Sequence, residues 1–124
     1  MTDILIDRLI NFETAADGTA VRLIIKDVAG QTVGLLMTID TLSSLLMTMP
    51  TIASSAVKRA HGDPRMRITY PAEEFQIEKG PDDLRILTIG TPDGFNVSFS
   101  LTEEFSYELG EAHLSGFGQH PRRH

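Results

Sequence analysis

The stretch Thr91-Pro92-Asp93-Gly94-Phe95-Asn96-Val97-Ser98-Phe99-Ser100-Leu101-Thr102-Glu103-Glu104 decides the fold class. Phe95, Val97, Phe99 and Leu101 alternate with Asn96, Ser98 and Ser100, the period of two of a strand with one greasy face. Pro92 presets φ and Asp93-Gly94 tolerates positive φ, so a turn precedes that strand. The β-rich run Leu84–Ile89 before the turn completes a hairpin over residues 84–101. Thr102 then supplies a capping hydroxyl, and Glu103 and Glu104 suit the positive end of a helix dipole. Phe105, Leu109 and Ala112 carry the helical spacing to about His113, and Gly110 weakens it. Residues 116–124 read as a flexible C-terminal tail.

The first half has the same grammar. Val21, Leu23 and Ile25 alternate with Arg22, Ile24 and Lys26; Ala29-Gly30 turns the chain; Val33, Leu35 and Met37 alternate again. Thr38 or Asp40 caps a helix with apolar positions Leu42, Leu45, Leu46 and Met49, continued by Ile52, Ala53, Ala56, Val57 and Ala60. Pro50 inside this stripe allows one kinked helix or two short ones. Upstream of each hairpin lies another strand. Residues 66–79 offer Ile68, Tyr70, Phe75 and Ile77, broken at Pro71, while residues 3–13 suit a strand better than a helix.

Strand–hairpin–helix therefore occurs twice. At a shift of 63 residues Phe12 meets Phe75 and Arg22 meets Arg85. One extra residue in the second turn makes the shift 64, where Gly30 meets Gly94, Val33 meets Val97, Thr38 meets Thr102 and Leu45 meets Leu109. The fold class predicted is α+β: a two-layer, mainly antiparallel sheet of five or six strands with two helices on one face, arranged as a βββα-βββα pseudo-repeat. It forms a single domain over residues 1–115, with halves 1–62 and 63–115. The helices are expected to cover Val33, Leu35, Met37, Phe95, Val97, Phe99 and Leu101. The opposite face is expected to carry Thr32, Asn96, Ser98 and Ser100, joined by Arg22, Lys26, Arg85, Ile24, Leu87 and Ile89.

Composition narrows function. The 124 residues hold no cysteine and carry a net charge of −6, so disulfides and thiolate chemistry are absent and a nucleic-acid partner is disfavoured. No apolar run approaches the ~20 residues of a bilayer span, and no leader pattern precedes Asp7 and Arg8. The expectation is a cytoplasmic, acidic protein with no membrane partner.

Four basic residues, Lys58, Arg59, Arg65 and Arg67, face one acid, Asp63, over residues 58–67. With His61 they form a candidate ligand-binding set for a small anion, since arginine grips phosphate or carboxylate in two-point contacts. Lys58, Arg59 and His61 also complement a helix C-terminus without any ligand. His61 and Asp63 are weak candidates for an acid–base pair, but no third group completes a mechanism. Glu73-Glu74 and Asp82-Asp83 read as solvent-facing. The spacing of His113, His120 and His124 matches no zinc pattern, so neither a metal site nor a cofactor is expected. The bet is a non-enzymatic interaction module that forms a homodimer or binds a protein partner through its sheet. The alternatives are an anion-binding domain using residues 58–67 and an enzyme with His61 as acid or base.

Overall fold

The computed structural model describes residues 1–120. The chain divides into two compact units, Met1–Ile68 and Thr69–His124, each built as three strands followed by a helix. The first holds β1 (Ile6–Thr14), β2 (Ala20–Asp27), β3 (Thr32–Thr38) and α1 (Ile39–His61). The second holds β4 (Glu74–Lys79), β5 (Arg85–Gly90), β6 (Asn96–Leu101) and α2 (Glu103–Ser115). The α+β class and the βββα-βββα order are those predicted. The six strands are hydrogen-bonded as two antiparallel three-stranded sheets, ordered β1-β2-β3 and β4-β5-β6.

The same devices build both units. Thr38 and Thr102 sit in extended conformation before their helices, and each hydroxyl accepts the backbone N–H three residues on, from Thr41 and Phe105. This decides the first cap in favour of Thr38. The β2–β3 and β5–β6 turns also match bond for bond. Asp27 N–H donates to the Gln31 carbonyl and Gly30 N–H to Asp27; Thr91 N–H donates to Phe95 and Gly94 N–H to Thr91. A side-chain oxygen braces each turn: Asp27 Oδ1 accepts from Gln31 N–H at 2.8 Å and Thr91 Oγ1 from Phe95 N–H at 3.2 Å.

These turns are of equal length, which corrects the expected change of shift. Leu23 pairs with Leu35 and Ile25 with Val33; their counterparts are Leu87 with Phe99 and Ile89 with Val97, all 64 residues on. Arg22 therefore corresponds to Ile86 and not to Arg85. The residue lost between the units lies in the first hairpin instead. Ala15 N–H closes on the Ala20 carbonyl, but Gly80 N–H closes on Leu84, one position tighter.

Leu84 N–H bonds the Pro81 carbonyl across Asp82 and Asp83, whose φ values of 55° and 62° are both left-handed. Asp82 and Asp83 are thus the left-handed pair of a turn of the I′ kind, set within a three-residue connection between Gly80 and Leu84. In the first unit β1 reaches β2 with irregularities between Ile6 and Arg8 and between Leu9 and Asn11. A residue inserted there brings Leu9 opposite Ile25 and Phe12 opposite Leu23, on one face although they are three apart.

The helix α1 runs unbroken through Pro50, which settles the choice between one helix and two. Residues 66–73 form no strand, so the predicted 66–79 segment shortens to β4. Tyr70 instead packs against Phe95, ring centroids 6.2 Å apart. Residues 117–120 return to α2, where the Ser115 hydroxyl donates to the Phe117 carbonyl at 2.8 Å and His120 meets Glu108. The rest of the predicted tail, residues 121–124, lies outside the described residues.

Candidate interaction surface

Partners directly opposite in an antiparallel pair share a face. In the second sheet this places Ile77, Leu87 and Phe99 in one cross-strand row and Phe75, Ile89 and Val97 in the next. The helix α2 lies on this side, and Phe105 and Leu109 form with Leu87, Ile89, Phe99 and Leu101 a cleft of about 470 Å³. The opposite face is polar apart from Ile86. It carries Glu74, Gln76, Glu78, Thr88, Asn96, Ser98 and Ser100, with the Thr88 and Ser98 hydroxyls hydrogen-bonded at 2.7 Å. Leu87, Ile89 and Arg85 thus leave the face predicted for them and join the apolar one. The reason is register: Arg85 pairs with Leu101, so odd-numbered residues of β5 and β6 point the same way.

The second unit's own elements cover little of that apolar face. Phe75 is 74% exposed, Ile77 60% and Phe99 53%. In the first unit α1 packs on β2 and β3, and Ile25, 3% exposed, is the buried hydrophobic residue there. Its outer strand stays bare at Leu9 and Phe12. The other face of the first sheet behaves as predicted for Arg22, Ile24, Lys26 and Thr32. There Arg22 Nη1 reaches Glu13 Oε2 at 3.2 Å.

The predicted anion set is dispersed in its use. Lys58 and Arg59 stand in the last turn of α1, and their carbonyls accept the N–H groups of Asp63 and Gly62. His61 Nδ1 donates to the Val57 carbonyl at 3.0 Å. Asp63 Oδ1 accepts the Arg65 backbone N–H at 2.9 Å and stands 3.9 Å from Arg65 Nε. His61 and Asp63 each have other partners, and no hydrogen bond joins them. The Arg65 side chain is 92% exposed, and Lys58, Arg59, His61 and Arg67 are exposed as well. Among the described residues no three His, Asp or Glu side chains converge as metal ligands. His113 lies in the last turn of α2, His120 faces Glu108 and the edge of Phe105, and His124 is outside the described residues. No described helix is long and apolar enough to cross a membrane.

Sequence reasoning missed Phe75, Ile77, Lys79 and Arg85 as members of one surface. The signal was present in the turn lengths, which fix the register and hence the faces. Comparison with protein-family models, curated proteins and solved structures finds no match to this chain.

Proposed function

We propose that this chain is a non-enzymatic interaction module whose working surface is the apolar face of its second sheet. The observation that supports the reading is the bareness of Phe75, Ile77 and Phe99 beside a cleft lined by Leu87, Ile89, Phe105 and Leu109. Contiguous greasy patches of this kind mark association sites, because leaving them in water forfeits roughly 25 cal/mol per Å². Among the described residues its lining is apolar except for Ser100, whose side chain belongs to the opposite face, and Thr102, whose hydroxyl caps α2.

The experiment is sedimentation equilibrium over a concentration series on wild type, Ile77→Lys and Gln76→Lys. Ile77 lies on the apolar face and Gln76, one residue away, on the polar one. The reading requires association that Ile77→Lys abolishes and Gln76→Lys leaves intact. Equal behaviour of the two variants, or a wild type that neither self-associates nor captures a partner, refutes it.

A further inference from the structure

The cleft between α2 and the second sheet has a chemistry of its own. Leu87, Ile89, Phe99 and Leu101 floor it from β5 and β6, and Phe105 and Leu109, one helical turn apart, wall it from α2. Among the described residues no charged side chain lines it. Its volume of about 470 Å³ falls within the ~300–1,000 Å³ of small-ligand sites.

One charge stands at its end. Arg85 pairs with Leu101 and precedes Leu87 by two on β5, so it shares the side of the sheet that carries the cleft. It is half-buried there. Among the described residues its guanidinium takes part in no ion pair. No unpartnered side-chain nitrogen of those residues is buried, so its N–H groups open to water. Lys79, opposite Arg85 on β4, adds a second cation at this end. Asp83 and Glu103 border the shallow depression that holds Lys79 and Arg85, outside ion-pair distance of both. Asp83 lies in the turn before β5 and Glu103 beyond the α2 cap, whereas Arg85 stands directly across from Leu101 of the cleft floor.

From Arg85 to Ile89 the strand runs about 13 Å, the length of an extended chain of roughly ten carbons. A guanidinium grips a carboxylate through two parallel hydrogen bonds, and more strongly beside apolar surface than in open water. We propose that the cleft binds an aliphatic carboxylate of that length. Its chain lies along Leu87, Ile89, Phe105 and Leu109, and its head sits on Arg85. This goes beyond the reading above, because Phe75 and Ile77, the barest residues of that reading, do not line the cleft.

The test is calorimetric titration of the full chain with decanoate below its aggregation threshold, beside octanoate, decanol and decyltrimethylammonium. Decanoate should bind, and octanoate about tenfold more weakly for its two missing methylenes. Decanol and the cation should each bind at least about fivefold more weakly than decanoate. Arg85→Gln should remove that preference for the carboxylate while leaving decanol affinity unchanged. It should also leave sedimentation unchanged, so failure of this site and failure of the association proposed above remain distinct. No binding of decanoate at about 1 mM overturns the site. Equal affinity for decanoate and decanol, a tighter grip on the cation, or indifference to Arg85→Gln overturns it as well.

Leu109→Trp fills the cleft and should abolish binding of decanoate and decanol alike; retained binding places the ligand elsewhere and overturns the proposal. Should that variant fail to fold, as circular dichroism would report, nuclear Overhauser effects on wild type replace it. Decanoate methylene protons should reach the methyl groups of Leu87, Ile89 and Leu109. Binding without those contacts overturns the proposal.

Discussion

Gly30 and Gly94 stand 64 residues apart and adopt the same left-handed backbone, with φ of 85° and 90°, at the same position of two turns with the same hydrogen bonds. A Cβ at either site meets nothing within 4 Å, so the demand for glycine there is conformational. Alanine pays roughly 1–2 kcal/mol in that region, and Gly30→Ala and Gly94→Ala should each lower stability by about that amount in urea titration. Gly110 provides the contrast, since it lies inside α2 in open space without a positive φ. Gly110→Ala should raise stability by about 0.5–1 kcal/mol. A loss at Gly110, or neutrality at the two turn glycines, would contradict this account.

The Asp82-Asp83 turn stores strain that sequence can relieve. Both residues hold left-handed φ without being glycine, and type I′ turns favour Asn-Gly at these two places. Asp82→Asn with Asp83→Gly should stabilise the chain by about 1 kcal/mol and leave the β4–β5 register unchanged. Cross-strand nuclear Overhauser effects between Ile77 and Leu87 would check the register, and denaturant midpoints the stability.

Asp17 is an acid whose charged form its neighbours stabilise. The Thr19 hydroxyl donates to its Oδ1 at 2.7 Å and the Thr19 N–H at 3.1 Å, and these bonds favour the charged form, the hydroxyl most. Its pKa is therefore held below the ordinary 3.8. Because the folded value lies below the unfolded one, the contribution to stability is present at neutral pH. It disappears as pH falls through the ordinary value and then the depressed one. Carbon-detected titration should show Thr19→Val moving the Asp17 midpoint upward, while the acid limb of the stability curve becomes shallower. An unmoved midpoint would mean that the hydroxyl bond is not formed in solution.

How far the fold could be read from sequence depended on what each pattern was sensitive to. Val97, Phe99 and Leu101 announced their strand, and Thr38 and Thr102 their caps, because these signals are local. Leu9 and Phe12 stand at a helical spacing inside a segment read as a strand, since an inserted residue in β1 sets two positions three apart on one face. Leu87 and Ile89 were placed on the wrong side because a strand's face is decided by pairing, and an error of one residue inverts it. Matching Arg22 to Arg85 committed that error. The surface of Phe75, Ile77, Lys79 and Arg85 needed three strands in register, which no single segment encodes.

The basic residues at the end of α1 make the last prediction. If they formed an anion site, binding should raise the melting temperature, and phosphate at a hundred times its dissociation constant would add about 2.7 kcal/mol. The geometry argues for a much smaller effect. Lys58, Arg59 and His61 finish a helix whose last carbonyls are already bonded, and the Arg65 guanidinium stands almost fully in water. Charges so exposed interact weakly and are screened by salt. Thermal denaturation in about 10 mM phosphate against matched chloride should move the midpoint by no more than about 1 °C, equally for wild type and for Arg65→Ala/Arg67→Ala. A larger rise in wild type that the double variant loses would establish the loop as an anion site and displace the reading given to the second sheet.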